Sequence, residues 1–71
     1  MNEEQLHRNL ARNLERLRER EGISQAGLAR RIGVAHMTVW RIEDGQGCRL
    51  GVLAKVAKAL KTSPNELIGW R

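Results

Sequence analysis

The stretch Gln25–Gly45, read as QAGLARRIGVAHMTVWRIEDG, limits the fold more than any other part of the chain. Leu28, Ala29 and Ile32 recur at spacings that gather on one helical face. Gly33 interrupts the pattern, and a glycine there takes the left-handed conformation that ends a helix. Val39 and Ile42 then stand three apart and form the apolar stripe of a second helix. Ala29 is small where the second helix has to cross closely. Two short helices therefore meet at a tight turn.

The flanking segments supply the rest of a core. Asn2 is placed to cap a first helix with Gln5 completing a capping box, and Glu3 and Glu4 complement the dipole of its first turn. Leu6, Leu10, Leu14 and Leu17 form a buried stripe, and Gly22 stops the helix, expected over Glu3–Glu21. Arg16 and Arg20, with Glu15 and Glu19 between, form a solvated charged face, whereas Arg8 and Arg12 have fewer acids nearby and are free to approach a phosphate. Ser24 is an N-cap for the second helix, and Gln25 follows where free amides can face an anion. Gly27 costs up to about 1 kcal/mol relative to alanine inside that helix. Arg30 and Arg31 fall on its polar side. The third helix is expected from about Ala35 to Asp44, followed by a loop over Gln46–Arg49. Leu50, Leu53, Val56, Ala57 and Leu60 give a fourth helix its apolar face, with Lys55, Lys58 and Lys61 outside. Ser63-Pro64-Asn65-Glu66 opens a short fifth helix docked by Leu67 and Ile68. The expected fold class is all-α, with five helices in a single domain over residues 1–71.

Composition narrows the function. A chain of 71 residues has a marginal core, so tight helix packing or dimerisation is expected to help it. The net charge is +5 and ten of the thirteen basic residues are arginine, which suits a phosphate-bearing partner. Charge alone does not separate nucleic acid from an acidic membrane or protein. Cys48 is the only cysteine, so neither an intrachain disulfide nor a cysteine-based zinc site forms. No apolar run approaches the roughly 18 residues of a bilayer span, and the first residues are acidic and polar, so a cytoplasmic location is expected and a membrane partner is not. His7 and His36 lack both a nucleophile or carboxylate constellation and metal-ligand spacing. No enzyme activity, metal, cofactor or small-molecule ligand is expected.

The ordered series Ile23-Ser24-Gln25, Leu28-Ala29, Ile32-Gly33-Val34, Thr38-Val39 and Arg41-Ile42-Glu43-Asp44-Gly45 resembles the Cro/cI-type helix-turn-helix family, also called the Xre family. The likeness continues through Leu53, Val56-Ala57-Lys58-Ala59-Leu60 and Pro64-Asn65-Glu66-Leu67, nearly the whole chain. The resemblance implies a five-helix, lambda-repressor-like domain. Its helix-turn-helix would span about residues 25–44, with a recognition helix at about 35–44 entering the major groove. It also implies a homodimer on a palindromic operator in double-stranded DNA. Carried over by position, Gln25, Ala35, His36, Met37, Trp40 and Arg41 become base-reading candidates, and Arg18 with Glu43 a partly buried salt bridge between the first and third helices. The chain departs from the family pattern at Ala35, where Ser or Thr is common, and at Gly27, where Glu is frequent. Asp44 also places a negative charge near the usual path of a phosphate, and the loop before the fourth helix lacks the common proline and is about one residue short.

Each outward residue has a specific chemistry and a plainer alternative. Arg41 can fork onto guanine, touch a phosphate, or pair with Asp44 or a nearby Glu. His36 can donate or accept at a base edge, bind phosphate, or do neither; Met37 can meet a thymine methyl or merely shield the groove edge. Trp40 can pack on sugar or a methyl, or fold back over the second helix and extend the core. Ser24, Gln25, Arg30, Thr38 and Arg49 are the phosphate candidates, which would position the protein and make binding steeply salt-dependent. Cys48, Leu67 and Trp70 are candidates for the dimer interface, Trp70 being alternatively a lid on the fifth helix and Cys48 an ordinary loop residue. The expected function is a sequence-specific transcriptional regulator, by default a repressor. The alternative is a protein-interaction module such as an antitoxin-like partner, to which the apolar Met37 and Trp40 point while the arginine-rich edges point to DNA.

Overall fold

In a computed structural model that describes residues 1–70, Asn2 opens the first helix with a reciprocal capping box. Its side chain accepts from the Gln5 amide at 2.8 Å, and the Gln5 side chain accepts from the Asn2 amide at 3.0 Å. The helices are α1 (Glu3–Arg20), α2 (Gln25–Ile32), α3 (His36–Glu43), α4 (Leu50–Ala59) and α5 (Pro64–Ile68). Among the described residues there is no strand. Glu21 is the C-cap of α1 rather than its last residue, and Ala35 and Asp44 flank α3 as caps.

The core is built from leucines of α1 and smaller side chains of the other helices. Leu10, Leu14 and Leu17 pack with Leu28, Ala29, Val39, Ile42, Val56, Ala57, Leu60 and Leu67, while Leu6 is only half-buried. α1 lies against α3 and α5, and α2 bridges α3 and α4. The buried Ala29 lets α2 and α3 approach. Gly33 turns the chain between them at φ 74°, its N–H returning to the carbonyls of Ala29 and Arg30. An added methyl at Gly33 would meet no atom within 4 Å, so only the left-handed backbone excludes a larger residue. Further along, Gly47 at φ 78° seats the loop before α4 on α1, where a Cβ would come within 2.5 Å of His7 Nε2. Among the described residues, no helix is long and apolar enough to cross a membrane.

Three expectations are corrected. Leu50 is 82% exposed rather than part of the apolar face of α4. Leu50 is the first residue of α4, and the residues that turn to the core come after it: Val52 and Leu53 pack against the core, and Val56, Ala57 and Leu60 are buried in it. Leu67, a dimer-interface candidate, is 0% exposed and belongs to the monomer core. Two α1 side chains hold α5 in that orientation: Asn13 donates to the Leu67 and Glu66 carbonyls at 2.8 and 3.1 Å, and Asn9 donates to the Ile68 carbonyl at 3.1 Å. Arg8, expected to be free, makes an ion pair with Glu4 one turn earlier at 2.8 Å.

The tie between α1 and α3 is bidentate. Arg18 Nε donates to Glu43 Oε2 at 2.8 Å and its Nη2 to Oε1 at 3.1 Å, while Nη1 donates to the Ile23 carbonyl at 2.9 Å. The two side chains are 13% and 6% exposed. The hydrogen bond to Glu43 raises the Arg18 pKa above its ordinary value, outweighing the opposing effect of desolvation. A raised pKa in the folded state favours the native protein at any pH below the unfolded value, which for arginine covers all ordinary conditions. Removing Arg18 would leave a buried carboxylate short of its main partner. Arg18→Ala is therefore expected to cost about 3 kcal/mol or more in urea unfolding, against less than about 0.5 kcal/mol for Arg8→Ala in its exposed pair. Equal effects of the two substitutions would refute the structural role of the Arg18–Glu43 pair. Gly33→Ala is expected to lose about 1 kcal/mol in the same assay through backbone strain alone, and an unchanged midpoint would contradict it.

Candidate nucleic-acid interface

α3 buries one face and leaves the other bare. Val39 and Ile42 are fully buried, so the helical period places His36, Met37, Trp40 and Arg41 outward. These four residues are related by i,i+1 and i,i+4 spacing and form a compact patch. Met37 is 51% and Trp40 43% exposed, so Trp40 lies outside the core. Trp40 instead borders a small polar recess shared with Glu15, Gln25, Glu43 and Asp44. Among the described residues Arg41 is in no ion pair; Asp44 accepts from the Gln46 side chain at 2.8 Å. The guanidinium therefore remains available to an outside acceptor.

The two helix starts lie beside one another at one edge of this patch. Ser24 caps α2 by accepting from the Gly27 amide at 2.9 Å, and stays exposed. Arg30 folds back toward that first turn, its Nη2 within 3.9 Å of the point where a Gly27 side chain would begin. Ala35 caps α3 without any side-chain hydrogen bond; the Thr38 N–H donates to the Ala35 carbonyl at 3.0 Å, while the His36 and Met37 amides have no partner among the described residues. Gln25 spans the two helices. Its Nε2 donates to Glu43 Oε1 at 3.0 Å, and its Oε1 lies 3.1 Å from His36 Nε2. This link was not legible in the sequence, which placed Gln25 next to backbone and base but not against Glu43.

At the other edge, Thr38, Arg41 and Arg49 surround a shallow hollow of about 370 Å³, with Val34, Cys48 and Val52 as its apolar lining. Two guanidiniums and a hydroxyl facing one concavity suit a phosphate. Cys48 is half-buried there, and desolvation raises its thiol pKa. Trp70 is exposed beyond α5, while Leu67, assigned with it from sequence, is inside. No group of three or more His, Cys, Asp or Glu among the described residues is placed to hold a metal.

A buried-backed, bare-faced helix set across the start of another is the DNA-binding helix-turn-helix arrangement. The chain belongs to the helix-turn-helix domain family, whose model matches residues 9–67. It is similar in structure to a hypothetical transcription factor, NHTF, from Neisseria, with a TM-score of 0.85 and 30% identity over 96% of this chain and 79% of that one. It is also similar to a transcriptional regulator of the HTH_3 family from Vibrio cholerae, with a TM-score of 0.83 and 25% identity over 96% of this chain and 39% of that one. No curated protein matches the sequence. The fold is thus that of DNA-binding transcription factors.

Burial and the raised pKa give Cys48 a low thiolate fraction. Its alkylation by iodoacetamide at pH 8 is expected to be several-fold slower in the folded protein than in urea. Equal rates would show the thiol to be free and reactive. Because burial raises the folded pKa, the unfolded chain ionises first, so this site lowers stability as the pH rises from the unfolded value through the folded one and has no effect below both.

Proposed function

We propose that the protein is a sequence-specific transcriptional regulator that binds a palindromic operator as a homodimer and acts as a repressor. The observation that carries the proposal is the outward face of α3, where His36, Met37, Trp40 and Arg41 stand exposed between the Arg30 and Arg49 edges. Arg41 forks onto a guanine, worth about 1–3 kcal/mol of discrimination, while Met37 and Trp40 pack on thymine methyls and sugar. Ser24, Arg30, Thr38 and Arg49 bind phosphates on either side and set the register. Ala35 contributes its small side chain at the groove, beside the unpartnered His36 and Met37 amides. The monomer measures 31 × 21 × 19 Å, a width that lets two copies side by side present their α3 helices about one DNA turn, about 34 Å, apart. Exposed apolar side chains at Leu50 and Trp70 supply surface for pairing, with Cys48 beside the loop. Occlusion of a promoter by such a dimer gives repression, and the proposal includes the cytoplasmic location expected from the sequence. The exposure of both Met37 and Trp40 favours a second function, an antitoxin-like interaction module whose partner is a protein.

Selection from a random duplex library is expected to enrich a palindrome with half-sites one turn apart. Arg41→Ala is expected to lose the preference at one position of each half-site. Binding is expected to weaken steeply with salt, at a slope set by the number of phosphates neutralised. Trp40→Ala is expected to weaken specific binding with little change in thermal midpoint. Salt-sensitive bulk affinity without any enriched sequence would overturn the proposal in favour of the interaction module.

A further inference from the structure

The hydrogen bonds around Gln25 determine which kind of base His36 can read. Glu43 is held as a carboxylate by two Arg18 nitrogens, so its oxygens only accept. The Gln25 group 3.0 Å from Glu43 Oε1 must therefore be the amide NH2, which settles the orientation of the side-chain amide. The carbonyl Oε1 of Gln25 is then turned to His36 Nε2 at 3.1 Å. Two bare acceptors at that distance repel, so Nε2 must carry the proton. A neutral imidazole has one N–H, and Nδ1 is left as an acceptor with no partner among the described residues.

We infer that neutral His36 reads its base as a hydrogen-bond acceptor through Nδ1, with Gln25 as the positioning residue that fixes the tautomer. The inference rests on the proposed reading of DNA through α3. The bases that answer an acceptor in the major groove are adenine through its N6 amino group and cytosine through its N4 amino group. Guanine offers N7 and O6 and thymine offers O4, all acceptors that oppose a bare Nδ1. His36 would thus select bases bearing an amino group, and Arg41 on the same face selects the opposite class.

Two measurements test this. Nitrogen-15 spectra of the histidine rings in the free protein at pH 8, above the ordinary imidazole pKa, are expected to show His36 as the Nε2–H tautomer. A predominant Nδ1–H form would overturn the inference without recourse to DNA. Library selection at the same pH is then run with wild type, His36→Ala and Gln25→Ala. Wild type is expected to confine one position per half-site to adenine or cytosine by roughly threefold to tenfold, as one hydrogen bond provides. His36→Ala is expected to abolish that preference, and Gln25→Ala to reduce it, while the position read by Arg41 persists as a control for folding. Guanine or thymine at the His36-dependent position, or a preference that Gln25→Ala leaves intact, would overturn the inference. An Arg41-dependent position without a His36-dependent one would overturn it and leave the proposed function standing. No enrichment with any protein would remove both.

Discussion

One nearly buried carboxylate ties α3 to the rest of the molecule. Glu43 receives two hydrogen bonds from Arg18 on α1 and one from Gln25 on α2. It closes α3 from the inside at its last turn, while Val39 and Ile42 anchor the middle. Three helices therefore converge on one side chain. A charge with so little exposure is tolerated only because every strong donor around it is in place, and taking one away leaves the others to bear the cost of desolvation.

That dependence matters because α3 cannot stand alone. Eight residues are too few for a stable isolated helix, and Ala35 offers no side-chain cap. Its stability comes from the core beneath it and from the Glu43 link. The consequence is useful. With full burial confined to Val39 and Ile42, the outward positions lie outside the core. Met37, Trp40 and Arg41 occupy them, a combination unsuited to an idle surface. The weak local start of α3 likewise leaves the His36 and Met37 amides without a partner among the described residues, beside the proposed interface. Stability is thus drawn from behind the helix, and the face proposed to read DNA lies in front of it.

The same network connects structure to specificity. Gln25 uses one end of its amide to support Glu43 and the other to orient His36, so the orientation of a surface ring is inherited from a buried ion pair. The arginine edges work differently. Arg41 and Arg49 share a hollow with Thr38, and Arg30 reaches back along α2; among the described residues none of the three is in an ion pair. Arg8, which looked similarly free by composition, is already paired with Glu4 on its own helix.

Much of this was legible in the sequence because the responsible forces are local. The Asn2 and Ser63 caps, the glycine turn at Gly33, and the apolar stripes of α1, α2 and α3 depend on residues within about one helical turn, and periodicity reports them directly. The outward set on α3 followed from the same period. What was not legible depends on contacts between distant parts of the chain. Leu50 and Leu67 have equally apolar side chains at plausible stripe positions, yet one is bare and the other buried. Leu50 opens α4 and the core is reached only by Val52, Leu53 and the residues after them, while Asn9 and Asn13 of α1 fasten the carbonyls at the end of α5. No local pattern encodes how far one helix overlaps another, and an asparagine on a helix reads as solvated until its partner is known. The Gln25 bridge is of the same kind, since its two partners are 11 and 18 residues away. By itself, the sequence determined the helices, their caps and the face each one buries. Only the tertiary structure decided which ends of those faces stay covered and how the surface ring at His36 is held, because both depend on how separate helices are placed against one another.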